Sequence, residues 1–372
     1  MTATGGALRR PASLALAPIL AAALLAALAV QALLASGGAP APMRALLPLP
    51  GLVALVGAFT GRGALLRWGA RGAGLLAALV PLAFLPAEPL PQLAARLPVW
   101  PQILVLLLAG RVLSLNAEER FRFFWNAPLR EGSTPRTQST AAALCLGAAL
   151  TLLFYSLVGR WAPGAALDPV GVTLRAFAGP TYVHAAIIAL FFVLLAALLD
   201  AALAHLTDRT LLSVARRRLA TGGPAPRLSP AEIAGVVRTL PGRPAESRTS
   251  AYLLEACALP GARAERETLE GFHTASRRFL RALLAFLPLL GFVGTVIGLA
   301  VAIGSLGTNG PDATAVDIGS SLAGLSIQFE TTLLGLATGL VASLLMAILE
   351  RREAELRQEC RRLVEVLVRA DG

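Results

Sequence analysis

A single carboxylate, Glu330, stands inside the apolar run SSLAGLSIQFETTLLGLATGLVASLLMAIL near the C-terminus, and Thr331 and Thr332 follow it directly. A carboxylate at membrane depth costs several kcal/mol unless it is paired, protonated or hydrated, so it marks an ion path unless it serves only an interhelical or interfacial hydrogen bond. At 1.5 Å per residue Glu330 lies roughly 18 Å into a span starting near Gly319, nearer the outer interface than the midplane. The small or polar face of the same run carries Thr332, Gly335, Gly339 and Ser343, with Gly335 and Gly339 at GxxxG spacing. A preceding run, FLRALLAFLPLLGFVGTVIGLAVAIG from Phe279, places Gly291, Thr295, Gly298 and Ala302 on one helical face, with Gly294 and Gly298 again at GxxxG spacing. Small faces let membrane helices approach closely, where packing drives association. Pro288 inside this run can kink the helix, and the backbone groups it frees must find partners within protein.

Other chemistries find little support. The cysteines, Cys145, Cys257 and Cys360, have no metal-ligand spacing, and the last two fall in segments read as cytoplasmic, where disulfides are rare. His184, His205 and His273 are scattered, and interfacial packing accounts for them better than metal binding. No nucleophile–base pair or ligand set emerges, so neither an enzyme nor a cofactor is expected.

The elements that must hold these residues are membrane helices. Of 372 residues 56% are hydrophobic and 15% charged, with mean hydropathy +0.68, whereas soluble domains carry about 25% charged residues. All 33 basic residues are arginines, giving a net charge of +11. They cluster between apolar runs, as cytoplasmic loops require, which favours a membrane protein over a nucleic-acid binder. Strong spans are expected near Thr140–Val158, Tyr182–Leu206, Ala282–Leu306 and Gly319–Leu349. Weaker ones fall near Leu14–Ala35, Ala45–Phe59, Gly72–Leu85 and Val99–Leu115. The fold class is therefore all-α: a polytopic helical membrane protein of about eight transmembrane helices.

Its expected regions are an N-terminal hydrophobic part (1–138), two spans (139–206), a cytoplasmic helical domain (207–281), two further spans (282–349) and a cytoplasmic helical tail (350–372). Arginines in 116–138, 207–281 and 350–372 place these segments and both termini inside. Within the cytoplasmic domain, Ser229-Pro230 with Glu232 begins one helix. A second covers about 245–259, and a third runs from about Ala264 into the membrane. In the tail, Leu349, Leu356 and Leu363 recur seven apart with Cys360 between them. That stripe fits either packing on the chain's own cytoplasmic domain or contact between copies.

The segment Leu287–Gly298, LPLLGFVGTVIG, resembles the second-span signature of the MotA/TolQ/ExbB family. The segment Thr331–Leu336 with Ala337–Ser343 resembles its third-span pattern. Two positions differ: Ala342-Ser343 replaces the family's Ile-Pro, and Ile327 stands where the family has a glutamate, with Glu330 one turn on. The resemblance covers about 182–367. It implies a homo-oligomer, a pentamer, in the bacterial inner membrane, whose two last spans line a central pore. Thr295 and Thr332, with Thr331 and Glu330, would lie on a proton pathway facing an intramembrane aspartate of a single-span MotB/TolR/ExbD-like partner. Pro288, Gly291, Gly294, Gly298, Gly335, Gly339 and Ser343 would serve helix packing or the oligomer interface.

Energetics suit such an engine: a proton crossing ~100 mV releases about 2.3 kcal/mol, and this chain offers a polar path without an obvious moving part. A secondary transporter with inverted repeats, and a non-conducting scaffold using the small faces only for packing, remain alternatives.

Overall fold

The computed structural model describes residues 21–25, 27–28, 49–59, 65, 68–75, 77, 102–110, 140–161, 177–179, 181–220, 264–307 and 318–368. Nearly all of these are helical, and no strand occurs among them. The long elements are α1 (Leu49–Phe59), α2 (Thr140–Trp161), α3 (Tyr182–Ala220), α4 (Ala264–Gly307) and α5 (Ile318–Val368). The chain divides into two compact units, Met1–Asn116 with Leu144–Val172, and Ala117–Ala143 with Thr173–Gly372.

The first unit holds α1, most of α2 and shorter helical stretches. Glycines in it sit where helices approach closely. A Cβ on Gly51 would come within 2.9 Å of the Leu25 Cα, and one on Gly74 within 2.9 Å of the Cys145 Sγ. Leu24, Leu28, Leu106 and Tyr155 are the largest fully buried side chains of this unit. The four weaker span candidates are helical where they are described, at 21–25, 49–59, 68–75 and 102–110.

The second unit is built on α3, α4 and α5, each touching the other two. Their lengths of 39, 44 and 51 residues correspond to roughly 58, 66 and 76 Å, about twice a ~30 Å hydrocarbon core. Each helix thus has length to spare beyond one crossing. α3 runs on past Leu206, the expected inner end of its membrane span, and there Thr207, Thr210 and Ser213 donate to the carbonyls of Leu203, Thr207 and Thr210 at 3.0, 2.8 and 2.7 Å. Beyond it Asp208, Leu211, Leu212 and Ala215 remain buried at helical spacing, so α3 continues as an amphipathic rod. The helix expected from Ala264 does run unbroken through Pro288 to Gly307. The helices expected at 229–240 and 245–259 lie outside the described residues. In the tail Leu356 and Cys360 are buried within the single chain, as packing on the chain's own helices requires.

Three helices are long and apolar enough to cross a membrane by length and composition, Tyr182–Arg217, Phe279–Gly304 and Ser321–Leu363, and a shorter apolar helix spans Ala142–Val158. The first three coincide with the strong candidates at Tyr182–Leu206, Ala282–Leu306 and Gly319–Leu349, and the fourth, Thr140–Val158, falls on the shorter apolar helix. The count of eight is not confirmed, since much of the N-terminal half lies outside the described residues.

α4 and α5 pack antiparallel through their small residues. A Cβ on Gly335 would approach the Leu287 carbonyl oxygen to 2.9 Å and the Gly291 Cα to 3.0 Å, and one on Gly298 would meet the Gln328 nitrogen and Gly324 oxygen, both at 2.8 Å. These obstacles are backbone atoms, which cannot rotate away. Gly298→Ala should therefore destabilise the purified protein by ~1–3 kcal/mol in detergent denaturation. Gly304→Ala, where a Cβ meets nothing within 4 Å, should be neutral or stabilise by up to ~1 kcal/mol.

Candidate functional site

The contacts of α4 and α5 set which hydroxyls share a level. Gly291 faces Thr331, Thr332 and Gly335, Gly294 faces the Thr331 side chain, and Gly298 faces Gln328 and Gly324. Thr295, between Gly291 and Gly298 on α4, therefore stands at the depth of 328–332 on α5. Gly339 sits against Leu287 and Pro288, so the proline step of α4 is seated on a residue without a side chain.

Glu330, Thr331 and Thr332 point in three directions, because successive helical residues turn by about 100°. Thr331 is fully buried against Gly294 and bonds back to the Ile327 and Gln328 carbonyls at 2.8 and 3.1 Å. It is a packing element of the seam. Thr332 is half-buried and donates to the Gln328 carbonyl at 2.9 Å, and Thr295, also half-buried, donates to the Phe292 carbonyl at 2.6 Å. A threonine that bonds its own helix keeps its oxygen lone pairs available to a further donor. Ser343 is exposed and lies off the seam, whereas Ala342 and Met346 are buried.

Glu330 faces α3. Its Oε1 accepts from the Ser326 hydroxyl at 2.8 Å, and its Oε2 lies 3.7 Å from His184 Nε2. The imidazole is 0% exposed and the carboxylate 28%. The other ring nitrogen, Nδ1, pairs with Thr181 Oγ1 at 2.7 Å. Thr181 is the N-cap of α3, its carbonyl accepting from the Ala185 amide at 3.4 Å. The ring packs on Gly179, whose φ of +38° is a left-handed conformation that suits glycine. A Cβ there would also collide with the ring.

Sequence reading took His184 as interfacial packing and missed this pairing. The available signal was that Glu330 is the lone carboxylate of its apolar run and His184 the first histidine of its own. The two are far apart in the chain, so only the tertiary fold brings them together. His205 is buried lower on α3, and the side chain of His273 lies outside the described residues.

A polar band closes the other end of the pair. Arg281 of α4 donates to Glu350 of α5 at 2.9 Å, with 62% and 32% side-chain exposure; pairs this open contribute ~0–1 kcal/mol. From Glu330 to Glu350, α5 rises about 30 Å, one hydrocarbon thickness, without a charged residue between them. Between these levels the outward faces are apolar: Phe286, Leu289, Phe292, Leu333, Leu336 and Leu340 are all more than half exposed.

The different placements of adjacent threonines give a direct check. Thr331→Leu overfills the seam at Gly294 and should destabilise the purified protein by ~1–3 kcal/mol. Thr332→Leu, at a half-buried position, should change the midpoint of the same detergent denaturation by less than ~0.5 kcal/mol.

No curated protein and no solved structure matches the chain. Residues 262–362, which hold α4 and nearly all of α5, match the model of the MotA/TolQ/ExbB proton channel family, the family that the two glycine-bearing helices resemble.

Proposed function

We propose that this chain is the proton-channel subunit of a motor-type complex in a bacterial inner membrane, coupling the proton motive force to mechanical work through a single-span partner. The observation that carries this reading is the coincidence of the family match with the small-residue seam between α4 and α5. The family suggests a channel subunit of a motor-type complex and association with a MotB/TolR/ExbD-type partner. Its members are channel and energy-transducing proteins rather than enzymes.

In the proposed assembly five copies surround two partner helices, with α4 and α5 lining the pore. The apolar outward faces of these helices supply surface for neighbouring copies and lipid. Both termini face the cytoplasm, where the extended ends of α3, α4 and α5 form a helical stalk. Thr295 and Thr332, level with one another beside the seam, offer oxygens to the protonated partner aspartate as it steps around the ring. Protonation neutralises that aspartate, which lowers its cost in a low-dielectric path.

Two measurements test this. Native mass spectrometry of the full chain co-expressed with its single-span partner should give five copies with two partner chains; a monomer or dimer indifferent to any partner would contradict the pore and favour a transporter or scaffold. Thr295→Ala and Thr332→Ala should each lower proton-dependent output by roughly tenfold, as expected for loss of one hydrogen bond worth ~1–1.5 kcal/mol. Intact output in both variants would remove these threonines from the path.

A further inference from the structure

The first turn of α3 meets the N-terminal quarter of α5 at a polar contact. Here a fully buried imidazole presents a nitrogen without a hydrogen-bond partner, His184 Nε2, toward the one carboxylate of the α5 span. The 3.7 Å separation is within ion-pair range but longer than a hydrogen bond. The N-terminus of α3 also points its partial positive charge at this position, which favours an anion there.

We propose that His184 and Glu330 bind one exchangeable proton between them, forming a protonation site carried by this chain alone. Without that proton the ring is neutral, with Thr181 Oγ1–H donating to Nδ1 and Nε2–H directed at the Glu330 carboxylate, so the pair has a charge of −1. The incoming proton adds to Nδ1, and the Thr181 hydroxyl turns from donor to acceptor. The pair becomes imidazolium and carboxylate with no net charge, the state that apolar surroundings favour. Ser326 keeps its bond to Oε1 throughout.

No other ionisable group competes among the described residues of these elements. On α3, exposed Tyr182 precedes the ring and Asp200 is about 24 Å further on; α4 has none between Arg281 and Gly307, and α5 none but Glu330 before Glu350. The site lies on the side of α5 that meets α3, a different face from Thr332. Its use in conduction rests on the channel reading, but its existence does not.

The test counts protons taken up by the purified full chain, without partner, in lipid nanodiscs on acidification from mildly alkaline to mildly acidic buffer. His184→Gln and Glu330→Gln should each take up about one proton fewer per chain than the wild type, and the double variant no fewer than either single one, because one proton is shared. Wild-type uptake in either single variant, or additive losses in the double variant, would overturn the proposal. If His184→Gln fails to fold, infrared difference spectra of histidine-labelled protein in a His205→Gln, His273→Gln background, where His184 is the one remaining ring, decide. The ring bands should change during uptake in the wild type and be silent in Glu330→Gln; ring bands silent in the wild type, or unaltered in Glu330→Gln, would overturn it. Because no partner or motor is present, failure here leaves the channel reading standing, and failure of motor output leaves the shared proton standing.

Discussion

Backbone-to-backbone approach of α4 and α5 is the constraint from which the rest of the second unit follows. At Gly291, Gly298, Gly324 and Gly335 an added Cβ would lie 2.6–3.1 Å from main-chain atoms of the opposing helix. Such spacing leaves no room for a side chain at these four positions and leaves packing to hold the helices, since lipid tails are as apolar as leucine. It also fixes register: once Gly335 sits over the Leu287 carbonyl, Thr295 must stand level with 328–332, and the inner ends must meet near Arg281 and Glu350.

With register fixed, helical periodicity distributes the polar groups. Thr331 points into the seam, Glu330 toward α3 and Thr332 away from both. Three adjacent residues that look like one polar cluster thus have three roles: a packing element, a partner for a buried histidine, and a half-exposed hydroxyl. The first turn of α3 is shaped to receive Glu330. Gly179 in its left-handed conformation admits the His184 ring, and the Thr181 cap holds the ring's far nitrogen. A protonation site on the α3 side and a hydroxyl face beside the seam would give the chain two polar features at one depth, a bilayer's thickness from the Arg281–Glu350 band.

Much of this was legible beforehand for physical reasons. Apolar runs longer than a bilayer requires, and glycines spaced at three and four residues, located α3, α4 and α5 and the small faces of the last two. The unbroken start of α4 near Ala264 followed from the absence of proline between Pro260 and Pro288. Other features were not legible. The extension of α3 past Leu206 was obscured by Thr207, Thr210 and Ser213, which read as polar linker but satisfy their hydroxyls on the helix itself. The burial of Thr331 depends on which of two hydroxyls meets Gly294, and composition cannot distinguish them. The approach of His184 to Glu330 joins different helices and has no local signature. The number of N-terminal spans depends on short, proline-bearing runs whose lengths straddle the ~20 residues a crossing needs.

The most direct measurement is proton flux into liposomes holding the purified chain under an imposed membrane potential, with and without its single-span partner. A channel formed jointly with the partner predicts flux only when both are present, abolished when the partner's intramembrane aspartate is replaced by asparagine. No flux in either condition, or flux indifferent to the partner and its aspartate, would contradict the account.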